Sequence, residues 1–202
     1  MKIQQVGKLN LKIAGDKIHF FFSFLRQGFM VETPVGCSVK TMLNNTLGMD
    51  DHYVEDRIKT IFLDAKPVDD INTACINDGS VLALSGAMPG LAGATLRRGG
   101  HLASLRGTIS FRSDGNNALS ENGRVLVKLF NLLVNDLGPI FLKRGILISR
   151  KQLEDFFASR PADFWPSLTS AYLNRQKITL DNWSEIRFPD LVLLIAEPDE
   201  RS

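Results

Sequence analysis

The sequence predicts an α+β protein with a sheet-rich N-terminal half, a glycine- and arginine-rich connection, and a mixed, mainly helical C-terminal half. Three observations carry this reading. Apolar residues alternate with polar ones along residues 7–24, the period of half-buried strands. Six glycines fall within residues 86–107, too dense for a regular element and suited to positive φ or close backbone approach. Val125, Leu129, Leu132, Leu133 and Leu137 are spaced as one face of a helix over residues 120–143. The predicted boundaries are 1–93 for the sheet-rich domain, 94–107 for a hinge and 108–202 for the helical α+β domain.

In chain order, Leu9, Leu11 and Ile13 alternate, as do Ile18, Phe20, Phe22 and Phe24. Ala14-Gly-Asp-Lys17 supplies turn chemistry between them, so 7–24 reads as a hairpin. Arg26-Gln-Gly28 is a second turn, and Phe29 to Thr33 a strand. Ser38 is a helix N-cap, with Met42, Leu43 and Leu47 on one face and Gly48 ending the helix. The acidic stretch Met49 to Arg57 reads as a loop or a short turn of helix. Ile58 to Leu63 is a strand, Asp64 to Pro67 a tight turn, Val68 to Ile71 a short extended piece, and Ser80 to Ser85 a further strand.

Beyond the glycines, Gly107 to Phe111 suggests a strand and Ser113 to Asn117 a loop. The helical pattern of 120–143 breaks near Gly138-Pro139. Ile146 to Ile148 is a short strand. Ser149 with Gln152 has capping-box spacing and opens a helix through Phe157. Pro161 to Leu173 reads as helical, with Phe164, Trp165, Leu168 and Tyr172 along it. Leu191 to Ala196 is an apolar strand. No internal repeat is visible.

Composition narrows the function. The chain has 202 residues, 44% hydrophobic and 23% charged, ample for a core without metal or disulfide staples. Its 24 basic and 22 acidic residues leave a net charge of +2, too balanced for a nucleic-acid binder by bulk charge. Phenylalanine (13) far outnumbers tyrosine and tryptophan (2 each), favouring packing over a stacking platform. Cys37 and Cys75 form no C-x-x-C, so neither a zinc site nor a redox pair is expected. No signal-like N-terminus or apolar run of membrane-spanning length occurs, so the expectation is a cytoplasmic protein with free thiols and no membrane association.

The stretch from Ile18 to Leu84 carries a resemblance. The hairpin Ile18–Thr33, the helix at Ser38, the strand Ile58–Leu63, the turn phrase Asp64-Ala-Lys-Pro-Val-Asp-Asp70 and the segment Asn77-Asp-Gly-Ser-Val-Leu-Ala-Leu84 follow one another in a telling order. In that order, residues 18–93 resemble the ubiquitin-like β-grasp family, most closely its small sulfur-carrier branch. The resemblance implies a β-grasp fold for the N-terminal half. It also implies an exposed sheet face used for protein contacts. Leu96-Arg-Arg-Gly-Gly100 is similar to the family's reactive tail, but His101 follows, and an internal glycine has no carboxylate to activate. Carrier chemistry therefore requires cleavage after Gly100.

Site candidates are few. Arg97, Arg98, Gly99, Gly100, His101 and Arg106 combine guanidinium groups with glycine backbone, chemistry that binds phosphate or carboxylate. The alternative is a solvated connection whose arginines pair with local acids. Met49 to Asp56 gathers four carboxylates and His52, but its spacing matches no known cation loop or metalloprotease helix. His19 falls out of phase with the apolar alternation. Trp165, Phe164 and Tyr172 are either core or a partner anchor. No P-loop, G-x-G-x-x-G or G-x-S-x-G occurs, so no catalytic residue, metal or cofactor is assigned. The leading expectation is a non-catalytic module that binds another protein. A small-anion-binding protein or enzyme, with its site at the junction of the halves, and a processed sulfur carrier are the alternatives.

Overall fold

A computed structural model describes residues 6–106, 109–111, 122–179 and 183–199. Strand β1 (Val6–Ala14) leads through a 3-10 stretch (Gly15–Phe21) into helix α1 (Phe22–Gln27) and β2 (Phe29–Pro34). Helix α2 (Val39–Thr41) widens into a π turn (Met42–Thr46), and α3 (Asp51–Arg57) follows. Then come β3 (Thr60–Leu63), β4 (Lys66–Pro67), β5 (Val81–Ser85) and α4 (Gly90–Leu96). The remainder carries β6 (Asn122–Phe130), α5 (Leu132–Arg144), β7 (Ile146–Ser149) and α6 (Arg150–Ala158). It closes with β8 (Leu168–Leu173), β9 (Gln176–Lys177) and β10 (Leu191–Asp199). The protein is thus mixed α and β.

The chain divides into two compact units, one of Met1–Phe29 with Asn135–Ser202 and one of Met30–Val134. The expected boundary at 94–107 is not where the division falls. The glycine–arginine segment lies inside the second unit, because β6, which follows it, pairs in parallel with β5, which precedes it. Nor is the region 108–202 mainly helical, since it contains five strands and two helices among the described residues.

In the unit Met30–Val134 the strand order is β4-β3-β5-β6-β2, with β3 antiparallel to both β4 and β5. Ile61, Leu63, Leu82, Leu84, Val125, Val127 and Leu129 are buried with Val39 of α2 and Met42 and Leu43 of the π turn. The Ser38 side chain caps α2, accepting from Thr41 N–H at 3.1 Å. Gly48, past the end of this helical stretch, sits at φ 73°, where glycine avoids the Cβ penalty.

In the other unit the order is β7-β10-β1-β8-β9. β1 runs parallel to β10 and antiparallel to β8, while β7 pairs antiparallel with β10 and β9 with β8. Leu9, Leu11, Ile13, Val192 and Leu194 are buried against an aromatic cluster. Phe156 lies 4.5 Å from Phe24 and 5.2 Å from Phe21 by ring centroid, with Phe164 edge-on at 5.6 Å. Arg160 stands 4.2 Å above the Phe156 ring, a cation–π lid. This cluster uses much of the phenylalanine excess and makes Phe164 core, with Trp165 at its rim 5.3 Å from Phe164.

The two units share one order of strand pairing, with different chain connections, that the sequence hides. In each, a two-residue hairpin edge pairs antiparallel with a strand belonging to a central parallel pair. In each, a serine-capped helix follows the other outer strand, Ser38 after β2 and Ser149 after β7. The hairpin turns match too, with positive φ at Asp64 and Ala65 (50° and 63°) and at Asn174 and Arg175 (49° and 71°).

Several sequence expectations are corrected. Ile18–Phe24 is helical rather than a strand. Phe21, Phe24 and Leu25 also recur at three- and four-residue spacing, and a helical wrap buries them all, with Phe22, on one side. The strand beside β2 is therefore β6. Residues 122–130 form that strand instead of helix, because Val125, Val127 and Leu129 alternate inward and Asn131 breaks the chain at φ 54°. The helix then runs unbroken through Gly138-Pro139. A Cβ on Gly138 would sit 2.7 Å from the Phe22 ring, so glycine permits that approach. Lastly, 161–173 is a 3-10 turn at Trp165–Ser167 followed by β8, which leaves Tyr172 on a strand. The expected strand at 107–111 forms none over the described residues 109–111, and the Ser113–Asn117 loop lies outside the described residues.

Candidate functional site

After β5 the chain folds back as α4, and this turn depends on Gly93. A Cβ there would stand 1.9 Å from the Met88 carbonyl oxygen. The chain then leaves α4 and reaches the edge of β3, where Arg98 N–H donates to Lys59 O at 2.8 Å. Gly99 turns it at φ 63°, and a short 3-10 stretch, Ala103–Arg106, completes the segment.

Two arginines fasten this segment. Arg106, 4% exposed, donates through Nη1 and Nη2 to both oxygens of Asp69, at 2.9 and 2.6 Å. Its Nε donates to Thr95 O at 2.6 Å, Nη1 also to Ser110 Oγ at 2.9 Å, and Nη2 to Arg97 O at 3.3 Å. All five donors are used, so Arg106 has none left for a ligand. Arg98 donates to Glu55 Oε2 at 3.0 Å and to Val54 O at 3.4 Å. Both were expected as anion ligands, and both act as pins.

The other expected residues remain together. Arg97, Gly99, Gly100 and His101 line a cleft of about 730 Å³, and Arg98 lines it too. The structure adds Glu55, Lys59 and Asp69, which the sequence reading missed. Arg97 and His101 are exposed. Lys59 Nζ donates to Glu55 O at 2.6 Å. Because Glu55 and Asp69 answer Arg98 and Arg106, the cleft carries its remaining positive charge on Arg97 and on Lys59, whose ammonium meets only a neutral carbonyl. A smaller pocket of about 130 Å³ adjoins it, lined by Thr60, Met88, Gly93 and Arg97 among others. Thr60 is fully buried, and its hydroxyl has no hydrogen-bond partner among the described residues.

The remaining candidates are structural. Asp50 caps α3 through Tyr53 N–H at 2.7 Å. Asp51 accepts from Asn44 at 2.6 Å, and that bond and Lys40 hold its carboxyl below the usual range. Asp56 pairs with His52 at 2.6 Å. Each acid thus has its own task, and no metal-holding cluster occurs among the described residues. His19 Nδ1 lies 2.7 Å from Asp16 O in the 3-10 stretch. Cys37 is buried, with Sγ donating to Pro34 O at 3.0 Å, and burial chiefly pushes its thiol pKa up, the reverse of an activated nucleophile.

No helix among the described residues is long and apolar enough to cross a membrane. Compared with protein-family models, curated proteins and solved structures, the chain matches none of them.

Proposed function

We propose that this chain is a non-catalytic, cytoplasmic protein-binding or assembly module built on a β-grasp scaffold. The observation that carries it lies on the segment pinned by Arg98 and Arg106. Leu91 and Leu105 are each 73% exposed and Ile109 57% exposed, on a stretch held firmly to its unit. Large apolar side chains displayed on anchored backbone are what a partner covers. The β-grasp reading is supported by the sheet of residues 30–134. Two central parallel strands, a helix after β2 and a hairpin at the far edge resemble the ubiquitin-like arrangement, with the strand beside β2 supplied by β6 from late in the chain. Purification from the native host tests the function. A reproducible partner lost on Leu91→Asp with Leu105→Asp supports it, and a lone monomer in every preparation counts against it.

A second reading, a small-anion-binding protein or enzyme, is favoured by Arg97. It lines the cleft beside His101 and Lys59, with no acidic partner among the described residues. Thermal stabilisation by inorganic phosphate or nucleotides, lost on Arg97→Ala, supports this reading. No shift with any of them removes it. The processed-carrier alternative needs a cut after Gly100, which would part Arg106 and β6 from the chain that holds β5. An intact-mass measurement showing only full-length protein excludes it.

A further inference from the structure

Two cavities of the unit Met30–Val134 meet at the same three residues, Lys59, Ala94 and Arg97. On one side lies the cleft of about 730 Å³, whose wall continues through Glu55, Asp69, Arg98 and His101. On the other lies the pocket of about 130 Å³, whose remaining described lining is Thr60, Ala87, Met88, Gly90 and Gly93. The cleft is charged, whereas the pocket's own residues are neutral and mostly small. Lys59 and Arg97 are the cations common to both.

The walls are set by backbone. Gly93 lies so close to the Met88 carbonyl that no side chain fits between them. Arg97 is held between Arg98 N–H on Lys59 O at 2.8 Å and its own carbonyl, which accepts from Arg106 Nη2 at 3.3 Å. A ligand therefore meets a site already formed, with little ordering cost. The charges are also set. Glu55 answers Arg98 and Asp69 answers Arg106, so Lys59 and Arg97 are left as two unbalanced cations. A phosphate monoester carries about −1.5 to −2 at neutral pH, which matches them. An apolar cavity of about 150 Å³ holds a benzene molecule, so the pocket takes an apolar group up to roughly that size.

We propose that this junction binds a phosphate monoester of a small apolar alcohol. The phosphate lies at Arg97 and Lys59, the apolar group enters the pocket between Ala87, Met88 and Gly93, and the open cleft is the way in. The site rests on the anion-binding reading of the cleft and narrows its ligand class.

The test titrates the full-length chain by calorimetry with phenyl phosphate, inorganic phosphate, glycerol phosphate and benzoate. Phenyl phosphate should bind at least about tenfold tighter than inorganic or glycerol phosphate, from burial of the ring. It should also bind more tightly than benzoate, which brings a single charge. Arg97→Ala should weaken phenyl phosphate about tenfold. Ala87→Leu, at an exposed position that lines the pocket and not the cleft, should remove the advantage of the ring and leave inorganic phosphate unchanged. Equal affinity for phenyl and inorganic phosphate, or for phenyl phosphate and benzoate, overturns this ligand class while the anion-binding reading stands. Phenyl phosphate binding unaltered by both substitutions overturns the site. No binding of any of the four overturns the site and the anion-binding reading together.

Discussion

Asp64 and Asn174 perform the same bond in the two units. Asp64 Oδ1 accepts the backbone N–H of Val81 at 2.7 Å, and Asn174 Oδ1 accepts that of Lys8 at 2.8 Å. Their own N–H groups donate to the carbonyls of the same two residues, at 3.0 and 2.8 Å. Each side chain thereby locks its hairpin onto the neighbouring central strand. One element is shared although the strands it grips, β5 and β1, come from opposite ends of the repeat.

The hairpins predict a gain. Ala65 and Arg175 hold positive φ, where a Cβ is penalised and glycine is not. Ala65→Gly should raise stability by about 1 kcal/mol, seen as a higher urea midpoint at unchanged slope. Asp64→Ala should lower it by about 1–2 kcal/mol, because Val81 N–H loses its acceptor, whereas Asp64→Asn retains one.

Arg106 should be costly to remove. Arg106→Ala leaves Asp69 and two carbonyls without their donor. Since Asp69 keeps water access (41% exposed), the loss should lie near the lower end for such pairs, about 3 kcal/mol. Arg106→Lys should recover little, because one ammonium cannot span these acceptors. Denaturant unfolding of both variants measures the difference. Equal stability of the lysine variant and the parent would show that the forked geometry is immaterial.

Thr60 should be a site of gain. Its buried hydroxyl lacks a partner among the described residues, so Thr60→Val, which keeps the branched shape in β3, should stabilise by about 1 kcal/mol. A destabilised variant would mean that the hydroxyl is satisfied in solution.

Cys37 should resist alkylation at neutral pH. Burial raises its pKa, so the native state keeps the proton longer than the unfolded chain. That contribution to stability is complete below the unfolded thiol's pKa and is lost as pH rises through the folded value. Iodoacetamide labelling followed by mass should modify Cys37 only slowly in native protein and readily in urea. Fast native labelling would contradict its burial.

Much of the local structure was legible in the sequence. The alternation of Leu9, Leu11 and Ile13, the caps Ser38 and Ser149, the Asp64 turn and the strands at β3, β5, β7 and β10 all follow from short-range chemistry. The Phe20–Phe24 run misled because aromatic residues so dense fit both periods, and only packing chooses between them. The run Arg97 through His101, one part of the cleft lining, was also legible as a turn-rich segment, since glycine density marks such turns. The roles of Arg98 and Arg106 were not. Their acids, Glu55 and Asp69, stand 43 and 37 residues away in sequence.

The sequence by itself determined where chain direction changes and which short segments become strands or capped helices, because turns, caps and periodicity act between near neighbours. Tertiary structure alone decided that β6 enters beside β5 and β1 beside β10, and that two unlike sequences share one sheet order. It also decided that the β3 edge is closed by the chain's own Arg98, whose N–H donates to Lys59 O. Those outcomes depend on backbone hydrogen bonds and burial between distant segments, which strand propensity does not encode.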